Sequence, residues 1–280
     1  MSAIFLEFSF SVSPLQPGSD ILMAELGELP FDSFVETADG IKAYIKKTDF
    51  REGMLNEVYI LSQPDIKIEF STKEIAQQNW NAQWEKDFKA ITIDNKCIVR
   101  APFHKVNPDV EFDIEIMPKM SFGTGHHETT HMMLQFVLEQ EVGGQSVLDM
   151  GSGTAVLAIL AAMKGAATID AIDIDHWSFL NAIENAERNG QQHINVFEGD
   201  VSLLGAKKYN LILANINRNI LLADIPAYAK QLSKKGKLIL SGFYLEDLPL
   251  ITESCERSGL SFVEYRERKS WAAAVYQFLG

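Results

Sequence analysis

An aspartate-glycine turn and a second aspartate stand at the ends of successive apolar runs, where their backbone and side chains could meet a nucleoside. Val147-Leu-Asp149-Met-Gly151-Ser-Gly153 closes one run, and Asp173 closes the next, at 169–174. Glycines at a strand-to-helix turn let the backbone approach a ligand closely, at the carboxyl ends of the strands where such folds bind. An ionised carboxylate offers only acceptors, so Asp173 can take both ribose hydroxyls of an adenosine. Nicotinamide enzymes share that feature, and it therefore specifies adenosine without specifying the cofactor. Asp149 points further. A dinucleotide would bring its pyrophosphate to the helix N-terminus, where a carboxylate is unwelcome. S-adenosylmethionine has no phosphate and carries a cationic sulfonium and amino group, so a carboxylate suits it.

Asn215, in Ile212-Leu-Ala-Asn-Ile-Asn217, ends a later run. In a methyltransferase of this architecture that strand end faces the transferable methyl, and Asn215 could hydrogen-bond the cofactor or an incoming amine. Enzymes acting on planar nitrogens often carry Asn/Asp-Pro-Pro-aromatic there. Its absence counts against adenine or glutamine-amide acceptors and leaves aliphatic amines open. The alternative is a plain strand-end turn residue. A different chemistry is spelled by His127-Glu-Thr-Thr-His131, which matches the HExxH pattern of zinc hydrolases, two histidines on one helix face with Glu128 as general base. The preceding Phe122-Gly-Thr-Gly125 makes it a glycine-rich helix start instead, with threonines suited to a polar ligand. No metal is expected. Cys97 and Cys255 fit no metal spacing and read as structural thiols of a reducing, cytoplasmic compartment.

These residues need a scaffold. The 280 residues, 46% hydrophobic and 22% charged, have ample material for one large domain or two ordinary ones. No run approaches the roughly 18 apolar residues of a membrane span, and the alternating start carrying Glu7 reads as a strand rather than a signal peptide. A net charge of −13 argues against a nucleic-acid groove and would draw a basic partner, although solubility alone also accounts for it. At the N-terminal end, period-two alternation predicts a strand at 4–10. A helix capped by Ser19-Asp20 follows, then a hairpin at 31–37 and 41–46 about Ala-Asp-Gly. A helix near 55–61 and a strand at 66–70 complete β-α-β-β-α-β, the ferredoxin-like order. From 73 to 88 the pattern turns helical, with Trp80, Trp84 and Phe88 on one face. They form either a packing stripe or a recognition surface. The expected organisation is a ferredoxin-like substrate-recognition domain at 1–70, a helical linker at 71–90 and a catalytic domain at 91–280.

After short strands near 91–93, 97–100 and 111–116, apolar strands alternate with helices. Strands fall at 146–150, 168–172, 195–198, 209–214 and 237–241, and helices at 156–164, 177–189 and 220–232. That rhythm predicts a doubly wound parallel sheet. Strands at 260–266 and 271–279 then add an antiparallel hairpin, the α/β, Rossmann-like variant of class I S-adenosylmethionine methyltransferases.

On these residues the chain resembles the PrmA family, the ribosomal protein L-eleven methyltransferases. The segment Met120-Ser-Phe-Gly-Thr-Gly-His-His-Glu-Thr-Thr-His131 looks like the family's hallmark. Val147–Gly153, Ala171-Ile-Asp-Ile-Asp175, Asn185-Ala-Glu-Arg-Asn-Gly190, Ala214-Asn-Ile216 and the linker segment Asn79-Trp-Asn-Ala-Gln-Trp84 continue the likeness. The resemblance implies cofactor contacts at Thr130, Gly151, Asp173 and Asn215, with S-adenosyl-L-methionine as cofactor. It also implies N-methylation of lysine side chains and the α-amine of a ribosomal protein, held by the N-terminal domain. One departure is Gly-Ser-Gly-Thr-Ala155, which has Ala where the family usually has Gly and should still permit the turn. No general base is evident, although Asn217 or Glu128 could assist. Rival readings are a same-fold enzyme acting on another protein or a small amine, a nicotinamide oxidoreductase, and a non-catalytic ribosome-binding module. A monomer is expected, without nucleic-acid or membrane partners.

Overall fold

The computed structural model describes residues 4–76, 88–119 and 121–280. By contacts the chain divides into Met1–Lys86 and Asp87–Gly280.

In the first unit, β1 (Ile4–Ser13) is followed by α1 (Leu15–Gly27), β2 (Ser33–Thr37), β3 (Gly40–Lys46) and β4 (Lys67–Ala76). The strands form one antiparallel sheet ordered β2-β3-β1-β4. Strand alternation turns Phe8, Phe10 and Val12 inward with Ile41, Ala43 and Ile45, and Leu22 and Leu26 of α1 close over them. The backbone is extended at Pro14 and again at Gln16 (φ −112°, ψ 134°), so the regular helix runs from Pro17, two residues before the predicted Ser19-Asp20 cap and with proline at its start, where a missing N–H costs little. The helix predicted near 55–61 is instead two 3-10 turns, Met54–Glu57 and Tyr59–Ser62, separated by an extended Val58. Burying Met54, Val58 and Ile60 from so short a segment suits tight turns better than a continuous helix. β4 continues through Ala76, where the pattern predicts helix from Lys73. Residues 77–87 of that stretch, with Trp80 and Trp84, lie outside the described residues, and Phe88 follows them without helical structure.

The second unit opens with a small sheet of β5 (Ile91–Ile93), β6 (Cys97–Arg100) and β7 (Phe112–Glu115). Arg100, almost sealed from solvent, is neutralised there by Asp113 at 2.5 Å and Glu115 at 2.9 Å. Next come α2 (Glu128–Glu139), β8 (Ser146–Met150), α3 (Val156–Met163), β9 (Thr168–Asp173), α4 (His176–Arg188) and β10 (Asn195–Glu198). β11 (Tyr209–Asn215), α5 (Arg218–Gln231), β12 (Leu232–Tyr244), α6 (Leu248–Arg257), β13 (Leu260–Arg268) and β14 (Trp271–Phe278) complete it. The large sheet runs β10-β9-β8-β11-β12-β14-β13, parallel through β12, with β14 antiparallel to both neighbours. Its two faces have separate cores. Leu134 and Val137 of α2 and the apolar length of α3 cover one; Leu221 and Ile225 of α5 with Ile251 and Cys255 of α6 cover the other. Nothing in the apolar alternation predicts α6, whose polar sequence leaves only Ile251 and Cys255, one turn apart, to mark a buried stripe.

Candidate active site

Strand order reverses between β8 and β11, and a crevice opens there at the carboxyl ends of the strands, as doubly wound sheets require. Its volume is about 460 Å³, within the range of small-ligand sites. The turn after β8 contributes Gly151 and Gly153, the end of β9 contributes Asp173, the end of β11 contributes Asn215, and Phe122 reaches in from the loop before α2. Gly151 has φ +68°, and a Cβ there would lie 2.1 Å from Ile216 Cγ2, so any side chain would be strained and would force Ile216 to move. Three of the four predicted cofactor residues thus line one crevice. The fourth, Thr130, is enclosed in the first turn of α2 and joined to the others through Asn215, whose Nδ2 donates to Thr130 Oγ1 at 3.4 Å.

Asp173 is held by its surroundings before any ligand arrives. Oδ2 accepts from Gly153 N at 2.7 Å and Oδ1 from Asp175 N at 3.0 Å. Each oxygen keeps a further lone pair, enough for two ribose hydroxyls. Asn215 Oδ1 is buried and meets no donor among the described residues. An orphan acceptor beside an aspartate-lined crevice suits an N–H donor carried by a bound ligand or by an incoming amine.

Asp149 does not take the role its sequence position suggests. It is 1% exposed, lies outside the crevice wall, and its Oδ2 accepts from Ala158 N at 3.1 Å within α3. Burial, opposed by that N–H and reinforced by nearby Asp173, pushes its carboxyl up to about 8. A neutral acid facing the core cannot discriminate a sulfonium from a pyrophosphate, and that discrimination passes to the sheet topology. A folded pKa above the unfolded value means that stability is lost as pH rises through that interval. An isosteric Asp149→Asn variant, which stays neutral, is therefore expected to gain stability over the parent progressively from about pH 4 to about pH 8 and to level off above. Urea denaturation across that range measures the difference; a pH-independent difference would refute the buried neutral acid.

Ala155, the departure from the usual glycine, does sit at the turn but at φ +60°, a left-handed conformation that costs a side-chain-bearing residue about 1 kcal/mol. The HExxH segment has no hydrolase geometry. His127 is the N-cap of α2, its Nδ1 accepting from Thr129 N. Glu128 is clasped by Lys269 and Arg268, and the Lys269 hydrogen bond with Arg268 beside it holds the carboxyl below its ordinary range, the wrong direction for a base. Among the described residues no group of three His, Cys, Asp or Glu could hold a metal ion. Asn217, the other residue considered as an assistant, spends Oδ1 capping α5 through Ile220 N. The motifs that contain Phe122, Asn185 and Asn189 give those residues no role in the site, and no motif marks Asn181; Asn181 and Asn185 lie on α4 and Asn189 is its C-cap. The four-residue spacing of the asparagines is the signal that could have marked them, since it puts three amides on one helix face.

The seven-stranded sheet with its one reversed strand, β14, next to the edge, and a crevice built from a glycine turn, a strand-end aspartate and a strand-end asparagine, define a class I, Rossmann-like methyltransferase. A family model for ribosomal protein L11 methyltransferase (PrmA) matches residues 22–278. A protein named ribosomal protein L11 methyltransferase from Phocaeicola vulgatus is 45% identical over 276 residues, covering 97% of this chain and 98% of that protein. One of the same name from Porphyromonas gingivalis is 46% identical over 262 residues, covering 92% and 90%. The crystal structure of a ribosomal protein L11 methylase from Lactobacillus delbrueckii subsp. bulgaricus aligns with TM-score 0.62 at 26% identity, over 68% of this chain and 97% of that one. The chain belongs to the ribosomal protein L11 methyltransferase (PrmA) family, and its cofactor is S-adenosylmethionine.

Proposed function

We propose that the chain methylates amino groups of ribosomal protein L11, the lysine side chains and the α-amine, with Thr130, Gly151, Asp173 and Asn215 forming the cofactor and acceptor site. Bound S-adenosylmethionine supplies a methyl group activated by its sulfonium. The carrying observation is the orphan Oδ1 of Asn215, at the strand end beside the ribose-binding Asp173. Through it the chain can orient an amine N–H so that the nitrogen lone pair faces the methyl. A lysine with an ordinary pKa of about 10.4 must shed its proton first. With Glu128 ion-paired and Asn217 capping a helix, water is the acceptor that this reading leaves, and positioning supplies most of the acceleration.

In the same reading, the N-terminal unit is a ferredoxin-like module, supported by its β2-β3-β1-β4 order, with 3-10 turns replacing the second helix. One face of its sheet carries a 430 Å³ depression whose lining includes Ser9, Ser11, Asp39 and Glu69 beside a single cation, Lys42, a balance that favours a basic protein. The net charge of −13 favours the same kind of partner. The enzyme works as a cytoplasmic monomer without direct nucleic-acid contact. Incubating it with tritiated S-adenosylmethionine and ribosomal proteins from a strain lacking the enzyme is expected to label L11 on lysines and the α-amine. Label confined to another protein, or to small amines, would overturn the substrate assignment.

A further inference from the structure

The loop carrying Phe122 is fastened to the cofactor turn by groups that never touch the crevice. Asn181 and Asn185 of α4 and its C-cap Asn189 recur every four residues and read the backbone at and just beyond the end of β7 as a neighbouring strand would. Asn189 Oδ1 accepts from Glu115 N at 2.8 Å, and its Nδ2 donates to Glu115 O at 2.7 Å. Asn185 Oδ1 accepts from Met117 N at 2.9 Å, and Asn181 Nδ2 donates to Met117 O at 3.4 Å. Asn185 also reaches the glycine turn, donating from Nδ2 to Thr154 O at 3.1 Å. Thr154 then grips the loop further along: its N–H donates to Phe122 O at 2.9 Å and its Oγ1 to Gly123 O at 2.7 Å. Both Thr154 and Asn185 are fully buried. Gly123 has φ +106°, and a Cβ there would stand 2.6 Å from Thr154 Oγ1, so the hydroxyl needs a glycine opposite it. Phe122, half exposed, is the one member of this chain of contacts that lines the crevice.

We propose that Thr154 and Asn185 are positioning residues that lock the Phe122 loop to the glycine turn, so that the wall of the cofactor crevice and its floor are set as one piece. They act on the cofactor through Phe122 and touch none of its atoms. The inference rests on the crevice being the S-adenosylmethionine site, and not on which protein is methylated.

Thr154→Val keeps the shape and removes the donor to Gly123 O; Thr154→Ser keeps the donor. By titration calorimetry with S-adenosylhomocysteine, the valine variant is expected to bind about tenfold more weakly and the serine variant within about twofold of the parent, the scale of one buried hydrogen bond. Phe122→Ala supplies the readout that a merely structural role would not move. In that background Thr154→Val should add less than about half its cost in the parent, because its effect runs through the missing ring. Gly123→Ala presses on the same hydroxyl from the loop's side and takes the place of Thr154→Val if that variant fails to fold. A folded Thr154→Val protein with parental affinity, or fully additive losses with Phe122→Ala, would overturn the proposal. A parent chain that binds no S-adenosylhomocysteine at all would overturn the cofactor site and the proposal with it.

Discussion

Replacing Asp173 with alanine is expected to weaken S-adenosylhomocysteine binding about 100-fold, the loss of two hydrogen bonds to a charged acceptor. In the proposed site the ribose would lose both its acceptors. The floor of the crevice loses one of its own fastenings as well, since Asp173 Oδ2 is what Gly153 N–H points at. Asp173→Asn separates these effects. The amide keeps one acceptor for Gly153 but turns a donor toward one hydroxyl, so its loss should fall between parent and alanine. Calorimetry gives the affinities, and far-ultraviolet dichroism checks that the variants remain folded. Parental affinity in a folded alanine variant would remove Asp173 from the ribose role.

Asn215→Ala should act differently, with kcat for methyl transfer falling about 100-fold while cofactor affinity changes far less. Its Nδ2 is committed to Thr130 Oγ1, while its Oδ1 is buried without a donor among the described residues. Removing it frees the acceptor nitrogen to rotate away from the methyl, and misplacement by about 1 Å is worth two orders of magnitude. Steady-state kinetics at saturating cofactor measures this. An unchanged kcat would return Asn215 to the plain role of a strand-end turn residue.

Much of this site is legible in sequence because strand ends are punctuated by glycine and acid. Gly151, Asp173 and Asn215 each fall where an apolar run stops, and the sheet brings those stops together. Asp149 was harder to place for a reason inherent in strands. Neighbours one residue apart face opposite sides, so Met150 meets the crevice while Asp149 enters the packing under α3, and sequence alone does not say which side is sealed. The extent of β4 was hidden because it is an edge strand, whose exposed Ser71, Thr72, Lys73 and Glu74 erase the alternation. The Thr154 grip on residues 122 and 123 involves partners about thirty positions apart with no periodic pattern linking them, beyond reach of local propensity.

The reversed strand has a consequence for how the protein is made. Among the described residues β13 pairs with β14 alone, and β14 follows it in the chain. During vectorial synthesis β13 therefore leaves the translating ribosome before that neighbour exists, and the edge of β12 that β14 will cover stands open for longer still, from Tyr244 onward. Translation must pass Trp271–Phe278 before the half-built sheet can close, which makes a paused or truncated nascent chain the form of this enzyme most in need of a chaperone.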